Sequence, residues 1–109
     1  KSSYVSANSV FDLKKMMDEN AVFQLIDVRE PYEYEIVNIG GELIPQGTLK
    51  ENVEKIDRAK KVVLHCRSGK RSADSIEMLE KEFDFKNLHN LEGGVLAWVD
   101  EIDSSLARY

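Results

Sequence analysis

The chain has 109 residues, 42% of them hydrophobic, which suits one compact domain with a core of its own. Its formal charge of -5 disfavours wholesale nucleic-acid binding. No apolar run approaches the roughly 18 residues of a membrane span, and the polar N-terminus lacks the apolar stretch of a signal peptide. The single cysteine cannot form an internal disulfide, and the two histidines, far apart in sequence, argue against structural zinc. This cysteine usage points to a reducing compartment, the cytosol. The first residue is Lys1, not methionine, which leaves room for a longer parent protein.

In chain order, Asn8 or Ser9 can cap a helix with Val10, Leu13, Met16 and Met17 at helical spacing, ended by Asn20. Residues 21–28 read as a buried strand, because both alternate faces are largely apolar. Pro31 can open a short helix that runs to about Ile36. Gly40-Gly41 break the chain, and Glu42-Leu43-Ile44 predict a short strand stopped by Pro45. Residues 48–59 predict a helix with Leu49, Val53 and Ile56 on one face, residues 51–61 forming its wet side. Residues 61–65 predict the next strand. A helix opening at Ser72 is expected to bury Ala73, Ile76, Leu79 and Phe83. Residues 87–91 predict a last short strand, and Gly93-Gly94 precede a helix with Val95, Trp98, Val99 and Ile102 on one stripe. The alternation predicts an α/β fold, a small parallel sheet with helices on both faces. Sites in such sheets gather at the C-terminal strand ends, where Cys66 and Asp27 fall.

The densest signal lies in residues 60–72. A β-branched run feeds Cys66, and a short loop follows with Arg67, Ser68, Gly69, Lys70 and Arg71 before the helix at Ser72. Taken alone, a free cysteine is usually a small buried hydrophobe. Here the backbone N–H groups of a tight loop, a helix N-terminus and three cations all favour thiolate over thiol. Comparable settings lower a cysteine pKa from about 8.5 into roughly the 3.5–7.5 range. A solvated basic turn is the plainer reading of the cations, and it fits Lys70 best.

Counting separates the candidate chemistries. A Walker A loop needs Gly-Lys followed by Ser or Thr; here Arg71 follows Gly69-Lys70, and Leu64 stands where the first glycine belongs. Cysteine phosphatases place five residues between cysteine and arginine to wrap a tetrahedral oxyanion. Only Arg67, Ser68, Gly69 and Lys70 separate Cys66 from Arg71. The smaller cradle suits a terminal sulfur atom better than a phosphoryl group.

Three segments make the chain resemble the rhodanese family of single-domain sulfurtransferases: Asp27-Val28-Arg29-Glu30 with Glu33-Tyr34; Cys66-Arg67-Ser68-Gly69-Lys70-Arg71-Ser72; and Glu92-Gly93-Gly94-Val95-Leu96-Ala97-Trp98. The resemblance runs from about Tyr4 to Asp103, leaving residues 104–109 as a tail. Many family members carry a Gly-His-Ile-x-Gly-Ala stretch where this chain has residues 38–47, with no histidine. Its Ile44-Pro45-Gln46-Gly47 is similar to rhodanese domains appended to adenylylating enzymes of molybdopterin and thiamine sulfur transfer, which implies a C-terminal domain of such a protein.

The resemblance implies a two-step exchange in which the Cys66 thiolate takes sulfane sulfur from a donor and passes it to a thiophilic acceptor. The loop, from Arg67 to Ser72, would bind the substrate, its N–H groups holding the terminal sulfur and its cations attracting a small anionic donor such as thiosulfate or a polysulfide. A sulfur-carrier protein or a cysteine desulfurase are the expected protein partners, and no metal or organic cofactor is needed. The resemblance also implies that Asp27 and Arg29 lie beside the loop; Asp27 can order it or pair with a cation, or the two can form a structural ion pair. Two other outcomes stay open: a non-catalytic module of the same fold, and a cysteine-dependent phosphatase or arsenate reductase. Glu30 and Glu33 read as helix N-terminal carboxylates facing solvent. His65 reads as a satisfied core histidine, since adjacent strand residues face opposite ways. His89 reads as structural. An exposed Cys66 thiolate is also expected to oxidise readily with peroxide.

Overall fold

The computed structural model describes residues 6–109; the expected domain start at Tyr4 lies outside them. Five strands form one parallel sheet: β1 (Ala7–Asn8), β2 (Phe23–Asp27), β3 (Glu42–Leu43), β4 (Lys61–His65) and β5 (Leu88–Leu91). Their order is β1-β5-β4-β2-β3, and every pair is parallel. The helices are α1 (Val10–Asp18), α2 (Pro31–Ile36), α3 (Lys70–Phe83) and α4 (Gly94–Glu101). The expected α/β architecture is therefore present, with a two-residue edge strand, β1, added. Among the described residues no helix is long and apolar enough to cross a membrane.

Local chemistry sets several boundaries. Ser9 Oγ accepts from Asp12 N at 3.0 Å and Asp12 Oδ2 accepts from Ser9 N at 3.1 Å, a reciprocal cap that starts α1. Residues 46–55, expected as a regular helix over 48–59, instead form a 3₁₀ helix, Gln46–Lys55. Asn52 breaks it: its side chain donates to the Thr48 carbonyl at 2.8 Å, and its own backbone (φ -126°, ψ 21°) is not helical. The charged residues beyond Lys55 are a turn, not a helix face; Asp57 Oδ1 accepts from the N–H groups of Ala59 and Lys60.

Alternation along the central strand β4 divides the core. Val62 and Leu64 pack with Ile76 and Leu79 of α3 and with Leu49 of the 3₁₀ segment. Val63 packs on the other face with Val10 and Leu13 of α1 and Trp98 of α4. Helices thus cover both faces, and Cys66, one step past β4, shares the α3 side. On α3, Ile76 and Leu79 are buried as expected; Ala73 and Phe83 are only half-buried, and Ser72 and Ser75 are buried in their place. Those serines sit inside because Ser75 Oγ donates to the Arg71 carbonyl and Ser72 turns to the cysteine loop.

Candidate active site

Cys66 ends β4, and the chain turns at once into α3. The helix starts at Lys70, two residues before the expected Ser72, because Gly69 takes a left-handed backbone (φ +106°) and caps it. Lys70, Arg71 and Ser72 therefore form the first turn of α3, and the free loop is only residues 67–69. The turn wraps the sulfur: Gly69 N–H donates to Cys66 Sγ at 3.1 Å, and Ser72 Oγ lies 3.5 Å from it.

The loop carbonyls face away from the sulfur and are held there by α4. Val95 N–H donates to the Cys66 carbonyl at 3.0 Å, and Leu96 N–H to the Arg67 carbonyl at 3.1 Å. This backbone-on-backbone docking requires Gly94, where a Cβ would stand 2.5 Å from the Arg67 oxygen and 2.6 Å from the Cys66 oxygen. The Gly93-Gly94 pair is thus more than a turn before a helix; it lets the N-terminus of α4 grip the cysteine loop. Asn90, at the end of β5, braces the loop from the other side. Its Nδ2 donates to the Gly69 carbonyl at 3.2 Å, and its Oδ1 pairs with Ser72 Oγ at 2.5 Å.

Burial raises the Cys66 pKa, but Ser72 and the N–H groups of Gly69 and Ser68 around the sulfur outweigh it. The thiol is thereby held below its ordinary value. The loop N–H groups thus act as expected, whereas the other expected contribution, that of the three cations, is largely committed elsewhere. Arg67 donates Nε to the Tyr109 carbonyl at 2.9 Å and Nη2 to the same oxygen, and stacks on the Tyr109 ring. Lys70, 79% exposed, pairs with Asp74 one turn along α3. Arg71 forms a two-pronged pair with Glu33. The ionised form is favoured by backbone dipoles more than by free charge. Cys66 is also 1% exposed, so the expected exposed thiolate is instead sheltered inside its loop.

Glu33 corrects a second expectation. It does not face solvent; it is buried and accepts from Arg71 on both oxygens, from Glu30 N–H and from the Tyr109 hydroxyl. The Arg71 guanidinium foremost, with the other donors, pulls its pKa down to about 2 against burial. Glu30 is exposed. Asp27 turns to Arg29 instead of to a loop cation: Arg29 Nη2 donates to Asp27 Oδ2 at 2.7 Å and Nε to Oδ1 at 2.9 Å, with both side chains fully buried. Arg29 also donates to the Val37 carbonyl and to the Tyr109 hydroxyl. It knits the β2 end to α2 and to the chain terminus.

His65 is buried on the face opposite Cys66, but it is not fully satisfied. Its Nδ1 stands 3.3 Å from the Cys66 carbonyl, and its Nε2, without a hydrogen-bond partner, lies 3.6 Å from Asp27 Oδ2. Burial lowers its pKa despite Asp27. Its ring touches the Cys66 carbonyl and not the thiol. His89 is half-buried on β5.

The remaining surprise is Tyr109, expected in a tail. Its hydroxyl accepts from Arg29 Nη1 at 2.8 Å and donates to Glu33 Oε1 at 2.7 Å. An open cleft of about 450 Å³ beside the loop is lined by Glu30, Tyr32, Glu33, Arg67, Arg71 and Tyr109. Its two carboxylates and two guanidiniums balance in charge. Sequence reasoning missed Glu33, Asn90 and Tyr109 as site residues. Neither Asn90, set among His89 and Glu92, nor Tyr109 left a distinct signal.

Comparison with known proteins agrees with this geometry. The Rhodanese-like domain family model matches residues 9–101. The chain is 33% identical over 101 residues to MoeZ of Mycobacterium tuberculosis, named an adenylyltransferase/sulfurtransferase, covering 90% of this chain and 26% of that protein. It is 36% identical over 95 residues to YtwF of Bacillus subtilis, also named a sulfurtransferase, covering 82% of this chain and 85% of that one. Among solved structures, a rhodanese-related protein from Thermoplasma volcanium superposes with a TM-score of 0.79 at 30% identity, covering 89% of this chain and 93% of that one. The chain belongs to the rhodanese-like domain family. It spans about a quarter of the length of the mycobacterial relative.

Proposed function

We propose that this chain moves sulfane sulfur through a persulfide on Cys66. The observation that carries the reading is the cradle itself: a thiol at a strand end, facing the N-terminus of α3, accepting from Gly69 N–H and approached by Ser72 Oγ. With thiosulfate as donor, the Cys66 thiolate attacks the outer sulfur. The new S–S bond forms as the S–S bond of thiosulfate breaks, and sulfite leaves with the electron pair. The terminal persulfide sulfur then carries the negative charge, and the N–H groups around Cys66 with the α3 terminus are the donors that support this reading. Attack by an acceptor, such as cyanide or a thiol on a carrier protein, breaks the Cys66 S–S bond and restores the thiolate. Donor and acceptor classes are those expected from the sequence: thiosulfate, a polysulfide or a protein persulfide on one side, a sulfur-carrier protein on the other, with a cysteine desulfurase as a further persulfide source.

Because the cleft cations are paired, the N–H cradle is the main anion-holding element and the side chains assist it. The four-residue spacing between Cys66 and Arg71 supports sulfur over phosphoryl chemistry. The test is intact-mass measurement after incubation with thiosulfate. The protein should gain the mass of one sulfur atom, lose it to cyanide as thiocyanate, and gain nothing as Cys66→Ser with its fold retained. A wild type that takes up no sulfur while a control sulfurtransferase does would favour a non-catalytic module. Turnover of an aryl phosphate without thiocyanate formation would favour a phosphatase.

A further inference from the structure

The segment after α4 is fastened at two levels. Near its base, Leu106 packs into the core with Trp98 and Val99, and Arg108 Nε pairs with Asp100 at 2.9 Å. Further on, Tyr109 links one end of the cysteine loop to the other. Its carbonyl and ring hold Arg67, the first residue after Cys66. Its hydroxyl holds Glu33, whose carboxylate grips Arg71 just past the loop. The hydroxyl is oriented in turn by fully buried Arg29, a rigid anchor because Asp27 fixes it. Arg67 directly follows Cys66, which is itself 1% exposed.

We propose that Tyr109 is a specificity-determining residue of the Cys66 site: latched across the loop mouth, it admits small sulfur donors and turns away bulky ones until its tip is displaced. This rests on the reading of Cys66 as the sulfur-carrying nucleophile. The latch is a balance of a few hydrogen bonds and one stacked guanidinium, so a partner that offers Arg67 another acceptor competes with it directly. A thiocarboxylate or carboxylate terminus on a carrier protein has that chemistry, whereas a neutral bulky thiol does not.

Cys66 is the only cysteine in the chain, so labelling of the whole protein reports on it alone. The experiment compares alkylation rates with iodoacetamide, which is small, and fluorescein maleimide, which is bulky. Taking their ratio cancels any change in thiolate fraction. Tyr109→Ala should raise the bulky-to-small ratio about tenfold, the factor that about 1.4 kcal/mol makes. Tyr109→Phe, which keeps the ring and loses only the hydroxyl, should raise it in the same direction by less. If Tyr109→Ala does not fold, as judged by circular dichroism, the phenylalanine variant decides. A ratio unchanged from wild type in the folded variants overturns the proposal, as does an equal rise with both reagents. Failure of the functional reading would look different. Wild type would then gain no sulfur from thiosulfate whatever the labelling ratio, whereas normal sulfur uptake with an unchanged ratio would defeat the role of Tyr109 alone.

Discussion

The Arg71 guanidinium meets the Glu33 carboxylate with two parallel hydrogen bonds, Nη1 to Oε2 and Nη2 to Oε1, both 2.8 Å. The pair joins the first turn of α3 to the first turn of α2, 38 residues away in sequence, and closes one wall of the cleft. Such planar, two-point pairing is geometrically demanding and ties the loop end to a fixed direction.

This pair makes stability depend on pH. The Glu33 pKa falls from 4.5 to about 2 on folding, foremost through Arg71. A depressed acid contributes stability that is fully present above its unfolded value and is lost as pH falls through the folded one. The loss therefore runs from about pH 5 down to about pH 2, and a shift of that size corresponds to about 3 kcal/mol. Urea unfolding of Glu33→Gln at pH 7 should show a deficit of about this size, shrinking toward wild type near pH 3. A deficit that stays constant with pH would mean that the pair is not what stabilises.

His65 adds an acid sensitivity that begins at higher pH. Its folded pKa is lowered, chiefly by burial, so the unfolded chain takes up a proton that the native one refuses. Stability should begin to decline as pH falls below about 6.5, the ordinary imidazole value. In Glu33→Gln this decline should persist while the lower step shrinks to what Asp12, Asp57 and Asp84 leave, which a series of unfolding curves from pH 8 to pH 3 would resolve.

Ser72 gives its one hydroxyl proton to Asn90 Oδ1 at 2.5 Å, so what it lends Cys66 is chiefly its backbone N–H. Ser72→Ala keeps that N–H and should therefore leave the pH midpoint of Cys66 alkylation within about half a unit of wild type. Labelling rates measured from pH 5 to pH 10 give the midpoint directly; a midpoint raised by about one unit would restore the hydroxyl as a donor to the sulfur.

Gly94→Ala places a Cβ 2.5 Å from the Arg67 oxygen, at a left-handed φ of +59°. The N-terminus of α4 must then retreat from the loop. We expect a cost of about 3 kcal/mol in thermal or urea unfolding and loss of sulfur transfer beyond what the remaining folded fraction explains.

The two cations of the α3 first turn should differ. Arg71 faces the cleft, while Lys70 points to solvent and Asp74. Steady-state assays with thiosulfate should show a larger rise in KM for Arg71→Ala than for Lys70→Ala, and added salt should narrow the gap. Equal losses would restore to Lys70 the role that the bare sequence assigned it.

Apart from the edge strand β1, the chain order of elements, the parallel α/β class and the placement of Cys66 at a strand end were legible in the sequence. These follow from local signals: the period of apolar residues, a capping serine, a glycine pair, a β-branched run into a polar loop. Local signals failed where a side chain overruled its neighbourhood. Asn52 spent its amide on the Thr48 carbonyl and turned a helix into a 3₁₀ segment. Gly69 took a left-handed conformation and started α3 two residues early.

The chemistry divides along the same line. The sequence by itself determined that a lone thiol would sit in a tight loop of N–H groups, because the residues that build the cradle, from Cys66 to Ser72, are contiguous. Only the tertiary structure decided which charges act on it. Three cations beside the cysteine looked like its activators; folding gave Arg71 to Glu33, Lys70 to Asp74 and Arg67 to Tyr109. A charge in a folded protein acts through whatever lies nearest in space, and partners 38 and 42 residues distant leave no periodic trace in the chain. Tyr109 is the clearest case: at the far end of the sequence it has no motif around it, and it becomes part of the site only because α4 returns the chain to the mouth of the cysteine loop.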